Sequence, residues 1–278
     1  MINFPNAKIN IGLNIVEKRP DGLHNLETVF YPISWCEPLE IIKAADVEKN
    51  TSTGKIKFES SGISIAGDVH SNLCVKAYNL LAADKKLPSV NMYLHKVLPI
   101  GSGLGGGSAD AAFSIKMLND LFNINLSSEE MQQYARELGS DCAFFIENKP
   151  VFAYGRGDVF EPVKLDLSNF FIVSIKPPIQ VNTGEAYAGA DPRKPERNLR
   201  ELIQLPINQW KSFIVNDFET SIFKKYPQIA NIKKDLYSQG AVYASMSGSG
   251  SCVYGMFSQS TNLKLLFNGC EVWEGKLK

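Results

Sequence analysis

The chain has 278 residues, and its 29 Lys and Arg balance 29 Asp and Glu, so the formal net charge is zero with the three histidines neutral. Zero excess charge excludes a dedicated binder of nucleic acid or of an anionic membrane, both of which are held through surplus positive charge. Hydrophobic residues at 44% and charged residues at 21% exclude a disordered chain, and a typical domain of about 150 residues predicts one large domain or two small ones.

From Ala7 to Ile15, apolar Ala7, Ile9, Ile11, Leu13 and Ile15 alternate with Lys8, Asn10, Gly12 and Asn14, the period of a half-buried strand. Lys8 and Asn10 therefore share the face that points away from the core. Arg19-Pro20-Asp21-Gly22 is a turn, and residues 26–33 are aromatic and β-branched enough for a second strand. Further strands are predicted over 39–42, 55–59 and 90–97, with a helix over 72–83. Ala111, Ile115, Leu118 and Phe122 then recur at helical spacing. Ser127 to Glu130 has the form of a capping box, and Gly139 stops the helix it opens. Asp141 follows that stop and precedes a short segment over 142–146. A strand over 151–154 and the turn 155–158 come next, after which the pattern restarts. Residues 170–176 read as a strand, and helices are predicted near 183–188, 199–203, 210–223 and 229–238. Strands over 242–246 and 252–257 flank the glycine turn Ser247-Gly248-Ser249-Gly250-Ser251. The expectation is an α+β protein of two halves without a flexible linker.

The five cysteines contain no C-x-x-C pair, and with three histidines they offer no zinc or iron–sulfur spacing. Free thiols in a reducing cytoplasm are the expectation. Residues 1–18 lack the apolar run of a signal peptide, and no stretch reaches the roughly 18 apolar residues of a membrane span. A soluble, cytoplasmic protein is expected.

Gly101, Gly103, Gly105, Gly106 and Gly107 fall within seven residues. The order G-x-G-x-x-G alone fits several sites. A dinucleotide fold needs an acidic residue about 20 positions later at a strand end, whereas Asp120 lies inside the predicted helix. A Walker A loop needs Gly-Lys-Ser/Thr, and a protein kinase needs His-Arg-Asp and Asp-Phe-Gly elements; the chain has none of these. What remains is strand, glycine loop and helix N-terminus, whose backbone N–H groups can hold phosphate, against the plainer reading of a turn kept for close packing. Taken singly, Lys8 reads first as a solvated strand lysine and Asp141 as a cap. His24 reads as an exposed turn histidine and Ser247 to Ser251 as a turn.

Together they read differently. Pro5-Asn6-Ala7-Lys8-Ile9-Asn10-Ile11, the run from Pro99 to Ala112 and Ser247-Gly248-Ser249-Gly250-Ser251 resemble the three motifs of the GHMP kinases. Ala7 to Asn10, Arg19 to His24, Leu138-Gly139-Ser140-Asp141 and Gly155-Arg156-Gly157-Asp158 look like the branch that phosphorylates a cytidine diphosphate ester of methylerythritol. The resemblance runs from Pro5 to about Tyr254. It implies a two-domain α+β kinase. The nucleotide-binding domain, like the second domain of ribosomal protein S5, would cover 1–157, and a ferredoxin-like α/β sandwich would cover 158–278, with the acceptor in the cleft between them. Leu23 stands where the branch usually has a tyrosine that stacks on cytosine, and Ser102 and Ala109 replace the more usual alanine and serine.

By the same resemblance, Pro99, Gly101, Ser102, Gly103, Leu104, Gly105, Gly106, Gly107 and Ser108 form the ATP loop, with Mg²⁺ offsetting phosphate charge. Asp141 would accept the proton of the acceptor hydroxyl, and Lys8 would stabilise the oxyanion as it forms. Asn10 would hydrogen-bond to Asp141 or substrate, His24 read the cytosine edge, Tyr187 stack on the base, and Thr183 contact the diphosphate or erythritol. Nothing singles out the adenine contacts; Lys96 and the residues just before the glycine loop are unspecific candidates. Another GHMP kinase acting on homoserine or a mevalonate, or an ATP-binding module without catalysis, shares the glycine loops. The partners implied are small molecules only, in a monomer or weak dimer.

Overall fold

The structure is a computed structural model and describes residues 1–44 and 56–278. Its first elements are β1 (Ile2–Asn3), β2 (Asn6–Lys18), β3 (His24–Cys36), β4 (Leu39–Lys43), β5 (Ile56–Gly62), α1 (Leu73–Lys85) and β6 (Val90–Lys96). There follow α2 (Gly106–Phe122), α3 (Ser128–Leu138), α4 (Phe144–Glu147), β7 (Val151–Tyr154), β8 (Val159–Pro162) and β9 (Phe171–Lys176). The chain closes with α5 (Thr183–Ala188), α6 (Leu199–Leu202), α7 (Ile207–Phe213), α8 (Phe218–Lys225), α9 (Pro227–Ser238), β10 (Tyr243–Met246), β11 (Val253–Phe257) and β12 (Glu271–Lys276). Lys55, included in the predicted strand over 55–59, lies outside the described residues.

These elements form two compact units, both discontinuous in sequence: residues 1–7, 36–100 and 105–148 in the first, and 8–35, 101–104 and 149–278 in the second. A division at residue 157 would cut the β7–β8 hairpin, in which Tyr154 pairs with Val159. The turn at 155–158 looks like a break in sequence because its glycines interrupt the pattern. In space it joins two strands of one sheet, ordered β2-β3-β7-β8.

The first unit is built on a sheet of order β1-β4-β6-β5. Strands β5 and β6 run parallel, which requires a crossover, and α1 supplies it. Asn72 starts α1 by accepting from the Cys74 N–H at 2.8 Å, and the Ser127/Glu130 capping box opens α3 as expected. Helix α2 packs on α1, α3 and α4.

The second unit adds a sheet of order β10-β11-β9-β12 to the β2-β3-β7-β8 sheet. Leu13 and Ile15 of β2 join Val173 and Ile175 of β9 and Ile229, Ile232 and Leu236 of α9 in one core. The spacing of three and four along α9 is what puts its apolar residues on that side.

The single helix predicted over 210–223 is instead two. Residues 214–216 leave the helix and lie along β2, with Leu13 N–H donating to Val215 O at 2.9 Å and Asp217 N–H to Leu13 O at 2.8 Å. Side chains that bond backbone away from the helix drive the break. Asn216 Nδ2 donates to the Met246 and Gly248 carbonyls, both at 2.8 Å, while its Oδ1 accepts from Phe218 N–H at 3.0 Å. Asp217 Oδ2 accepts from Ile15 N–H at 2.7 Å. Strand β12 was not expected, since its alternation is blurred by Glu274 and Gly275. Pairing with β9 creates it, and Trp273 stacks on Trp35 with centroids 5.8 Å apart.

Asn216 holds the turn at Met246–Gly248 to the break between α7 and α8, and it is buried. Asn216→Ala leaves two carbonyls and one N–H without their partner, so it should lower unfolding free energy by about 3 kcal/mol in urea titration. A loss below about 0.5 kcal/mol, the range of a neutral surface change, would contradict that assignment.

Candidate active site

Strand β2 presents Lys8 and Asn10 on one face, as the alternation requires, but the face is covered rather than solvated. Lys8 is 2% and Asn10 3% exposed. The alternation reports only the period; the cover comes from the glycine loop and the turn after β10, which are remote in sequence. Lys8 Nζ donates to Asn10 Oδ1 at 2.6 Å and to the Gly103 carbonyl at 3.1 Å, and lies 4.9 Å from the centre of the Phe30 ring. The Gly103 carbonyl also accepts from Ser247 Oγ at 2.9 Å, and Ser247 Oγ accepts from Asn10 N–H at 3.2 Å. Three segments far apart in sequence thus close on one ammonium.

The glycine loop belongs to both units: residues up to 100 and from 105 lie in the first, and 101–104 in the second. Its conformation requires glycine at alternate positions, since Gly101, Gly103 and Gly105 have φ of +63°, +79° and +74°. A Cβ on Gly103 would run into the Ser247 carbonyl. Lys8 N–H donates to Leu104 O at 2.9 Å and Cys252 N–H to Ser102 O at 3.0 Å, which ties the loop to β2 and to β11. Ser102 and Leu104 turn their side chains inward. Gly105 caps α2 without a side-chain bond, so no cap side chain takes up the N–H groups of its first turn, which have the helix dipole behind them.

Asp141 sits in the first unit, in the turn after α3 that Gly139 ends. The next residue, Cys142, is buried against the first turn of α2. Burial pushes its thiol up to about 12, the Ser108 hydroxyl opposing through a hydrogen bond and the nearby Asp141 charge adding to the rise. Ser108 and Asp141 therefore both lie near one buried cysteine.

Sequence reasoning missed an ionic triad at the foot of the loop. Lys96 Nζ pairs with Glu37 and, at 2.7 Å, with Asp110 Oδ2, and all three are buried. Glu37 Oε2 accepts from Val97 N–H and Leu98 N–H, both at 2.7 Å. Glu37 and Lys96 therefore hold the strand that enters the loop, and Asp110 the helix that leaves it. Burial pushes the Asp110 carboxyl up to about 7 while Lys96 pulls it down. For Lys96 burial works against the charge, but the two carboxylates outweigh it and hold the ammonium above its ordinary value. The Lys96 ammonium is thus engaged by carboxylates, which corrects its reading as an adenine contact. A carboxylate in the first turns of α2 was visible in Ser108-Ala109-Asp110, but nothing local marked Glu37.

In the second unit the candidates for base recognition meet. The His24 and Tyr187 rings stack with centroids 4.9 Å apart and planes at 22°, and Phe218 meets Tyr187 edge-on at 4.9 Å. Leu23 is exposed, its N–H bonded to Asp21 Oδ1 at 3.0 Å. Thr183 opens α5, with its Oγ1 3.3 Å from Ser249 Oγ.

Lys96→Met would leave Glu37 and Asp110 buried without a counter-charge, a change that costs about 3–5 kcal/mol when one partner of a buried pair is removed. Thermal unfolding should show the loss, and adding Glu37→Gln and Asp110→Asn to the Lys96→Met variant should recover much of the stability. An unaltered melting temperature in Lys96→Met would show that the triad does not hold the loop.

The chain matches the family descriptions "GHMP kinases N terminal domain" over residues 72–154 and "GHMP kinases C terminal" over 196–274. The 4-diphosphocytidyl-2-C-methyl-D-erythritol kinase of Bacteroides fragilis strain YCH46 is 51% identical over 100% of both chains. The protein of that name from Cytophaga hutchinsonii is 50% identical over 93% of each. A crystal structure of 4-(cytidine 5'-diphospho)-2C-methyl-D-erythritol kinase superposes with a TM-score of 0.83 at 26% identity, covering 100% of this chain and 99% of that one. The Methanococcus jannaschii mevalonate kinase shares the fold alone, with a TM-score of 0.70 at 13% identity over 100% and 98% of the two chains. The chain belongs to the GHMP kinases, with their two-domain α+β fold, and within them to the family of 4-diphosphocytidyl-2-C-methyl-D-erythritol kinases.

Proposed function

We propose that the chain transfers the γ-phosphoryl group of ATP to the 2-hydroxyl of 4-diphosphocytidyl-2-C-methyl-D-erythritol, giving the 2-phosphate and ADP. The reaction belongs to the non-mevalonate route to isoprenoid precursors, and the cytoplasm is its place. Full-length identity of 51% to kinases of that name supports the reading. The observation that carries it is the stacked His24–Tyr187 pair in the same unit as the buried Lys8, because an acceptor without a base needs no such pair.

Phosphoryl transfer asks a protein chiefly for position and charge stabilisation. The backbone N–H groups of the loop and of the first turn of α2, from Gly101 to Ser108, bind the triphosphate. Asp141 takes the proton of the acceptor hydroxyl as its oxygen bonds to the γ-phosphorus and the bond to the bridging oxygen of ADP breaks. Lys8, fixed by Asn10 and Gly103, stabilises the charge on that oxygen. Among the described residues no cluster of three or more His, Cys, Asp or Glu could hold a metal. Mg²⁺ suits such a site, because it arrives on phosphate oxygens with several waters and needs at most one or two carboxylates. When bound, it offsets the charge of the phosphates. The division of labour implied by the family, with nucleotide binding over 1–157 and the C-terminal domain over 158–278, belongs to the same reading.

Burial, with a smaller contribution from Lys18, holds the His24 imidazole below its ordinary value. At neutral pH the ring is therefore uncharged, with one nitrogen donating and the other accepting, as the edge of cytosine requires. Tyr187 supplies the aromatic face and Thr183 a hydroxyl to the diphosphate or erythritol.

Asp141→Asn should lower kcat by about 10²- to 10⁴-fold while ATP affinity holds, the range for loss of a general base. An unchanged kcat would remove Asp141 from the mechanism. Tyr187→Ala should raise KM for the cytidyl substrate, as loss of a stack of about 1–3 kcal/mol predicts, and leave KM for ATP alone. Equal losses for both substrates would contradict a role in base binding. Protonation of His24 removes its acceptor, so KM for the cytidyl substrate should climb as pH falls from about 7 to 5. His24→Gln should flatten that climb, and an identical profile in the variant would assign the titration elsewhere.

A further inference from the structure

We propose that Thr28 is a positioning residue for phosphoryl transfer, acting by fixing the orientation of the Asn10 amide and through it the Lys8 ammonium. The inference rests on the kinase reading of the Lys8 site. Thr28 lies in β3, beside β2 in the same sheet, and belongs to none of the motifs. Its side chain is fully buried.

The argument is one of donors and acceptors. Thr28 Oγ1 donates to the Gly12 carbonyl at 2.5 Å and accepts from Asn10 Nδ2 at 3.0 Å. A hydroxyl has one hydrogen, and a carbonyl can only accept, so the Thr28 hydrogen is committed to Gly12. The oxygen can then only accept from Asn10, which must turn its NH₂ toward Thr28. Asn10 Oδ1 is thereby directed at Lys8 Nζ, 2.6 Å away. An ammonium donates only, so a flipped amide would set NH₂ against NH₃⁺ and lose that bond.

The anchor of this relay is itself fixed. Gly12 has a φ of +66°, and a Cβ there would lie 2.8 Å from a Leu199 methyl and 2.9 Å from one of Ile214. The backbone of Asn10 is held independently of Thr28, its N–H by Ser247 Oγ at 3.2 Å and its carbonyl by Tyr254 OH at 2.7 Å. Loss of the Thr28 hydroxyl therefore releases the amide without releasing the strand. A displaced catalytic group loses rate, because transfer depends on near-attack geometry.

The test is steady-state kinetics of the full chain with ATP and the cytidyl acceptor for wild type, Thr28→Val and Thr28→Ser. Thr28→Val should lose about 10- to 100-fold in kcat, the scale set by misplacement of a reacting group, with KM for ATP nearly unchanged, while its melting temperature falls because the Gly12 carbonyl and the Asn10 amide lose a buried partner. Thr28→Ser, which keeps the hydroxyl, should recover most of the turnover. A wild-type kcat in Thr28→Val would overturn the inference, as would equal losses in both variants with lowered melting temperatures, the signature of packing alone. If valine is not tolerated, Thr28→Cys, which puts a weak donor and acceptor where Thr28→Ser keeps a hydroxyl, takes its place with the same two readings. A wild-type chain inactive on the cytidyl acceptor would instead overturn the kinase reading. In that case the side-chain amide signals of Asn10, followed by ¹⁵N NMR, decide the positioning role. Slow exchange in wild type and fast exchange in the variant support it, and unchanged exchange overturns it.

Discussion

Everything proposed for this chain depends on one carbonyl oxygen. Gly103 O accepts from Lys8 Nζ at 3.1 Å and from Ser247 Oγ at 2.9 Å, which brings the first long strand, the glycine loop and the turn after β10 to a single point. The glycine is what allows it. With φ at +79° and no Cβ, the loop comes close enough to the turn for both bonds to form. The buried Lys8 ammonium is held by an amide oxygen and a carbonyl and lies over the face of Phe30. Contacts of this kind fix the ammonium in place, as the proposed role in stabilising an oxyanion requires.

The same logic explains how a chain of zero net charge can serve two polyanionic substrates. In the proposed site phosphate is met by backbone N–H groups and a helix end, which carry partial charges but no formal ones. The formal charges at the foot of the loop are turned inward. Lys96 is held between Glu37 and Asp110, where it braces both ends of the loop. Position is supplied by burial and hydrogen bonding, and the charge balance of the whole chain says little about it.

Much of this was legible from local pattern and some of it was not. Alternation along residues 7–15 placed Lys8 and Asn10 on one face, and the Ser127/Glu130 box and the spacing along α2 and α9 located helices. What the pattern could not show is cover. Gly103, which bonds Lys8, and Ser247, which bonds Gly103 and Asn10, are remote in sequence, and hydrophobic periodicity carries no information about them. The helix expected over 210–223 failed for a related reason. Asn216 and Asp217 bond to Met246, Gly248 and Ile15, and these tertiary bonds outweigh a weak local preference. Glu37 and Thr28 carry no motif at all, and their importance lies in what they hold. Asp141 could be singled out only by resemblance, since an aspartate after a glycine stop is ordinarily a cap.

The central claim is transfer of phosphate to a cytidyl acceptor, and ³¹P NMR of the full chain with ATP, Mg²⁺ and 4-diphosphocytidyl-2-C-methyl-D-erythritol tests it most directly. The account predicts a new phosphomonoester signal coupled to the erythritol carbon that bears the 2-oxygen, growing in step with ADP. Phosphorylation of homoserine or mevalonate in preference to that compound, or ATP binding with no transfer to any of the three, would contradict it.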